Sequence, residues 1–317
     1  MTRQFLHVFH QGYGNNQELW HNVRTPDGAW LGDQRVPNTR LSYSPSPVVY
    51  GNKIFVFHQG CHPLFGENRG SLWYDVCDQS GTWAGDVQVP DTQLLESPSA
   101  VVYNNKIYVF HQGVGSNSGS LWFDVFDGIS WAGDKPVPSA AGISASPSAV
   151  VFDNKIYVFH QGPGDNGQLW YNVFDGTTMG WTGGVVPNAS MSSSPAAVVI
   201  PRPNKIITPY DIAIYYQGPG WDGHLGMSWF YGDTGQWGGG GRVSPQNMLS
   251  ASPAVVYAPN QNEVYFNYIF FQGAGFSGQL FVDIFDPTYR FDPPTTGLRE
   301  IYQTGLTDSP GVVALDW

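Results

Sequence analysis

SPSAVVYNNKIYVFHQGVGSNSGSLWFDVFDGISWAGDKPVP, residues 97–138, is the stretch that decides the fold. Ser97-Pro98 opens a short apolar strand, Ala100-Val101-Val102-Tyr103. Asn104-Asn105 tolerates the positive φ that a tight two-residue hairpin needs. Lys106 to Gln112 is rich in β-branched and aromatic residues and reads as a second strand. A Gly-rich loop, Gly113 to Gly119, leads into a third strand, Leu121 to Phe126. Asp127-Gly128 turns the chain again, and Trp131 opens a fourth strand that ends at Val137-Pro138.

The same unit returns along the chain. His-Gln-Gly occurs at His10, His58, His111 and His160, with weaker copies at Tyr216-Gln217-Gly218 and Phe271-Gln272-Gly273. Ser-Pro precedes an apolar run at Pro45, Pro98, Pro147, Pro195, Pro253 and Pro310. Six copies of each marker, repeating at about 50 residues with four strands apiece, predict an all-β, six-bladed β-propeller. Neither the WD40 nor the kelch signature is present. The blades are expected near 309–317 plus 1–37, 44–90, 97–138, 146–187, 194–243 and 252–303, in one domain. The first unit begins at its second strand, Phe5 to Gln11, and Ser309 to Leu315 is a first strand without a second. The C-terminal strand is therefore expected to complete the N-terminal blade and close the ring, which removes two exposed sheet edges.

Composition narrows the function classes. Gly and Pro make up about a fifth of the 317 residues, charged residues only 12%, and the formal net charge is −11. With no Lys/Arg run, a phosphate backbone or an anionic membrane surface is an unfavourable partner. No apolar run approaches the ~20 residues of a membrane span. The N-terminus carries no apolar signal-peptide core, so a cytoplasmic location is expected. Cys61 and Cys77 fall at opposite ends of neighbouring strands, too far apart for a disulfide, and read as free thiols. Nucleic acid and membrane insertion are set aside as partners; a homodimer remains open.

Strand direction places the Ser-Pro segments, the His-Gln-Gly loops and the start of each third strand on one face, where loops are longer and more varied. Candidate ligand residues gather there. The histidines His10, His58, His111 and His160 differ between blades, unlike the neighbouring Gln11, Gln59, Gln112 and Gln161, whose invariance suits backbone pairing between blades. Trp20, Trp73, Trp122 and Trp170 open third strands, and Trp229 and Phe281 are read as their counterparts in blades five and six. Such indoles suit interblade packing or the apolar face of a sugar ring. The residue before Ser-Pro varies, Tyr43, Glu96, Ala145, Ser193, Ala251 and Asp308, as distinct pockets or a tolerant loop would allow. Glu96 and Tyr216 join the candidate set. The histidines sit on separate blades, too far apart to share one zinc ion, and no metal or cofactor is expected. No nucleophile elbow is present, and Asp78-Gln79-Ser80-Gly81-Thr82-Trp83 reads as a structural Asp turn.

The six units, the Asp127-Gly128…Trp131-Ala132-Gly133 and Asp175-Gly176…Trp181-Thr182-Gly183 turns, and the repeated third-strand aromatic resemble the fungal fucose-binding lectins of the Aleuria type. That resemblance implies metal-free sugar pockets between neighbouring blades, built in the family from Arg, Glu and Trp. A repeated Arg-Glu pair is missing from this chain, so those roles are not carried over. The expected function is a multivalent, metal-independent, carbohydrate-binding lectin for fucose-, galactose- or GlcNAc-type sugars. The alternative is an enzyme on the same scaffold, with one central apolar pocket for cyclisation or pericyclic chemistry. Blades five and six motivate it, because Tyr216 and Phe271 replace histidine there and 201–210 is inserted.

Overall fold

The computed structural model describes residues 4–61, 70–138, 142–201, 210–286 and 298–316, and among them the only regular structure besides strands is four single 3-10 turns. The strands form up-and-down antiparallel units. Blade three runs Ser99–Tyr103, Lys106–Gln112, Leu121–Phe126 and Lys135–Pro136. Blade four runs Ser148–Phe152, Lys155–Gln161, Gln168–Asp175 and Gly180–Ser190, and blade five Ser192–Pro201, Tyr210–Gln217, His224–Tyr231 and Gln236–Met248.

Blades six, one and two are joined into one hydrogen-bonded sheet by two long strands that pass from one blade to the next. The strand Gln34–Tyr50 is the fourth strand of blade one up to Arg40, and from Leu41 the first of blade two. Arg299–Asp316 does the same from blade six to blade one. Its end pairs antiparallel with Gln4–Gly12, placing Phe5 opposite Leu315 and Val8 opposite Val312. The C-terminal strand thus completes the N-terminal blade. Around the axis, the first strand of each blade contacts that of the next, through all six and back to the start.

Each blade is a layer with a neighbour on both faces, so its strands are apolar on both sides. In Lys106–Gln112, Ile107 and Val109 pack toward blade two, while Phe110 and Tyr108 pack toward blade four. A tryptophan from the outer turn of each of blades one to five wedges against the preceding blade. Trp131 meets Phe57 edge-on at 6.0 Å, Trp181 meets Phe110 at 6.2 Å and Trp237 meets Phe159 at 6.1 Å. Trp83 on Phe9 and Trp30 on Phe270 continue the pattern. Such T-shaped contacts add about 0.5–1.5 kcal/mol each beyond the area they bury.

Two details depart from the sequence expectation. The fourth strand of blade three is only two residues long, Lys135–Pro136, where a strand from Trp131 to Pro138 was expected. In blade five, the residue opposite Tyr216 is Gly226, so Trp229 is not the counterpart of Trp20, Trp73, Trp122 and Trp170. Trp229 pairs with Ala213 and is buried in the blade-five core.

Candidate functional site

The His-Gln-Gly strands end at the face where the chain enters each new blade, and their polar groups are spent on the scaffold. Gln11, Gln59 and Gln112 donate from Nε2 to the carbonyls of Leu41, Leu94 and Ile143, the apolar residues that lead into the next blade. Gln217 and Gln272 do so to Leu249 and Leu306, both at 3.0 Å. Gln161 is equally buried. This clamp explains why glutamine recurs in every unit. It anchors the linker between blades through a backbone carbonyl that burial would otherwise leave unpaired.

The histidines His10, His58, His111 and His160 are fully buried. A ligand on the top face does not reach them, which corrects the expectation that they line a pocket. Each Nδ1 faces the carbonyl of the following glutamine, at 3.0–3.3 Å. Nε2 faces a carboxylate of the same blade: Asp33 at 3.2 Å, Asp86 at 2.8 Å and Asp134 at 2.9 Å. Both ring nitrogens of these three histidines thus face a partner inside the blade. Blade four has Gly184 where that aspartate would stand, and there His160 turns to Asn172 at 2.9 Å. Burial lowers the His160 pKa. Tyr216 is also buried, its hydroxyl 3.0 Å from Ser228.

Trp20, Trp73, Trp122 and Trp170 lie opposite the histidines and are half-buried. Their indole edges lie over Gly12, Gly60, Gly113 and Gly162, where a Cβ would collide with the ring. That close approach is what the Gly of His-Gln-Gly provides. Two residues on, buried aspartates tie neighbouring blades together. Thr39 donates to Asp75 at 2.8 Å and Thr92 to Asp124 at 3.0 Å. Burial raises the pKa of both carboxyls. At the seam, Asn22 Nδ2 donates to Thr304 at 2.9 Å instead.

Hollows open on the face that carries these loops and along the axis. The first is a cleft of about 490 Å³ between blades two and three, walled by Trp122 with Asp91, Gln93, Asn117 and Asp134. Only Trp122 had been singled out from sequence. The missed signal is the polar residue after Val-Pro before each Ser-Pro segment: Asn38, Asp91 and Asn188 all adopt positive φ, at 59°, 53° and 57°. At Asp91 that turn sets the side chain in the cleft with the next blade's Trp122. At the seam between blades six and one, Trp20 pairs with Arg35 across the ladder, and Arg35 Nη1 holds Glu18 Oε1 at 2.9 Å. This Arg–Glu pair beside a tryptophan occurs in one blade and is not repeated.

The second hollow is a bowl of about 960 Å³ at the axis, bordered by Gln11, Gln59, Tyr43, Trp221, Phe276 and Asp308. It narrows to the third, a channel of about 200 Å³ ringed by the Ser-Pro serines. Ser44 N–H donates to Ser97 Oγ, Ser97 N–H to Ser146 Oγ and Ser194 N–H to Ser252 Oγ, each at 2.9 Å. The serine of Ser-Pro is thus a fastener between first strands. Glu96 stands at the channel wall. Burial and the charges of Asp308 and Asp165 push its pKa up to about 7.

Among the described residues, no group of three or more His, Cys, Asp or Glu side chains converges as a metal site would. Cys61 and Cys77 are free thiols. Asp78 accepts from Ser80 and Thr82 backbone N–H groups at 2.9 and 3.0 Å, as a structural Asp turn does.

Solved structures share this fold. AofleA from Arthrobotrys oligospora is 15% identical over 97% of this chain and 88% of its own, with a TM-score of 0.62. A variant of the Aleuria aurantia lectin in complex with Fucα1-6GlcNAc is 15% identical over 95% of this chain and 92% of its own, with a TM-score of 0.62. The SapL1 lectin in complex with α-methyl fucoside is 16% identical over 94% and 96%, with a TM-score of 0.55. This chain is a β-propeller similar to these lectins. No protein-family model and no curated protein matches the sequence. At such identities the likeness is one of fold, and it agrees with the resemblance drawn from the six units and their turns.

Proposed function

We propose that the chain binds carbohydrate without a metal ion, in clefts between neighbouring blades, and that the cleft between blades two and three is a working sugar pocket. The observation that carries this reading is the lining of that cleft. Its one large apolar surface is Trp122, and facing it are hydrogen-bonding side chains, Asp91, Gln93, Asn117 and Asp134. A sugar ring has one apolar C–H face and a rim of hydroxyls, and needs just that division of labour. The fucosides bound by the Aleuria aurantia and SapL1 lectins lend support through the shared fold. Trp20, Trp73 and Trp170 recur at the matching register of blades one, two and four, so the reading is multivalent. Single pockets should be weak, at Kd of about 10 μM to 1 mM, and avidity on a glycan-coated surface comes from several acting together.

The test is calorimetric titration with methyl α-L-fucoside, methyl galactoside and N-acetylglucosamine, with and without chelator. Trp122→Ala should remove one site per chain, or weaken it at least tenfold, with the other sites unchanged. Chelator and ionic strength should change little, because a neutral sugar offers no charge to screen. Failure of all three sugars to bind, or unaltered binding by Trp122→Ala, overturns the reading of this cleft.

A further inference from the structure

The bowl at the axis is built asymmetrically. Blades four, five and six carry the same short turn after their second strand, Pro163–Asp165, Pro219–Trp221 and Ala274–Phe276. The last residue of each turn adopts left-handed backbone, φ 53° at Asp165, 57° at Trp221 and 53° at Phe276. Asp and Asn tolerate that conformation; bulky residues do so rarely. Blade one has Asn15 in such a conformation, at φ 54°. Blades five and six instead hold a tryptophan and a phenylalanine there, 62% and 69% exposed, and both border the bowl. Tyr43, also left-handed at φ 62° and 42% exposed, is a third aromatic on the same rim. At these three residues backbone strain and exposed aromatic surface coincide on the rim of the bowl, where neither serves the core.

The floor of the bowl is acidic. Asp308 borders both bowl and channel, and Glu96 borders the channel just below. They hold the same place in two units, immediately before Ser-Pro. Asp308 Oδ1 accepts from the Ser309 N–H at 2.9 Å and from its hydroxyl at 3.4 Å. The Glu96 carboxylate accepts no hydrogen bond from the described residues. No Lys or Arg among the described residues lines bowl or channel. Burial raises the pKa of both acids and the charge of Asp308 raises that of Glu96 further, so with no cation beside them they favour a positive charge brought from outside.

We propose that the bowl is a second, single-copy site that takes an organic cation, its ammonium group seated between Glu96 and Asp308 and its apolar body against Trp221, Phe276 and Tyr43. Aromatic faces attract a cation through their ring quadrupoles, and the paired carboxylates supply its countercharge. The bowl adjoins the interblade cleft, with Gln93 and Val114 on both linings, but Glu96, Asp308, Trp221, Phe276 and Tyr43 border only bowl or channel, so the proposal stands or falls independently of the sugar reading.

Benzyltrimethylammonium is the probe, followed by tryptophan fluorescence and calorimetry on the intact chain, with benzyl alcohol as the neutral comparison. One equivalent of the cation should bind, at least tenfold tighter than benzyl alcohol. Binding should weaken severalfold from about pH 8 to pH 5 as Glu96, facing Asp308 and Asp165, takes up a proton. Glu96→Gln with Asp308→Asn should weaken it at least tenfold, and Trp221→Ala with Phe276→Ala should do likewise. Melting curves check that both variants fold. Methyl α-L-fucoside binding should not change in the carboxamide variant, which keeps a failure here distinct from a failure of the cleft. Equal binding of benzyl alcohol, unchanged cation binding by the carboxamide variant, or no saturation below about 10 mM overturns the proposal.

Discussion

Blades two to four form a regular arc, and blades five, six and one a divergent one. In the regular arc the space between second and third strands is filled by a histidine and a tryptophan, His58 with Trp73, His111 with Trp122 and His160 with Trp170. Blade five fills it with Tyr216 and Gly226, and blade six with Phe271 and Phe281. In blade five the large ring has moved from the third strand to the second, and a Cβ on Gly226 would strike it. Blade one keeps His10 with Trp20 but places His7 and His21 where the regular arc has Phe55 with Tyr74, or Tyr108 with Phe123. The layer therefore constrains the total volume between strands, not the residues that supply it. The loops freed from the histidine pattern in blades five and six are the ones that aim Trp221 and Phe276 at the axis.

The largest way to break this comparison is to open the seam. Deleting Ser309 onward removes the partner of Gln4–Gly12 and uncovers Val8 and Leu6, which are buried against it. The loss should be on the order of a domain's whole stability, about 5–15 kcal/mol. Size-exclusion chromatography should find aggregate, and the cooperative melt should vanish. A truncated chain that melts with the intact one would show that the divergent arc does not depend on closure.

A smaller perturbation converts blade five to the regular pattern. Gly226→Trp alone overpacks a filled layer and should cost about 1–3 kcal/mol. Tyr216→His alone leaves a void and removes the hydroxyl bonded to Ser228, for about 2 kcal/mol. Together they rebuild the His–Trp pair, and chemical denaturation of the cycle should recover roughly 1–2 kcal/mol relative to additivity. Strict additivity would mean that the two positions do not share one space.

The markers that could be read from the sequence were those the scaffold repeats. Gln112 and Ser97 recur because every blade needs its linker clamped to a carbonyl and its first strand fastened to the next. Periodicity therefore revealed the ring and its closure. It misled at the histidines, because a polar residue present in four units resembles a variable site. His111 instead pairs with Asp134 inside one blade, a partner 23 residues away whose presence no local pattern announces. It also misled at Trp229, since counting aromatics along a strand does not fix which one lies opposite Tyr216. Asp91 and Trp221 were missed for a related reason. Their roles depend on a left-handed backbone at one residue, and Asp91 looks like ordinary turn punctuation.

The smallest test concerns the histidine pair of blade one, and it is read through pH. His7 Nδ1 and His21 Nε2 lie 2.9 Å apart with the rings stacked at 5.1 Å, and His21 also stacks on Phe9 at 4.4 Å. Burial lowers the His7 pKa to about 4; burial and the nearby His7 and His10 lower that of His21 to about 3. Both folded values lie below the unfolded value of about 6.5. The stability each contributes is therefore complete above about pH 6.5 and lost as pH falls, on the order of 2 kcal/mol per histidine by about pH 5. Glu96, Asp75 and Asp124 act in the opposite sense, since their raised values favour the folded state in acid and withdraw that support as pH rises. The informative quantity is thus the difference from His7→Phe with His21→Phe, which gives blade one the uncharged aromatic pair of the regular arc. Denaturation midpoints of the two proteins should run parallel above about pH 7. They should diverge steadily below it, with the variant holding its stability to lower pH. Curves that stay parallel down to about pH 4 would mean that these histidines titrate in the folded ring as freely as in the unfolded chain.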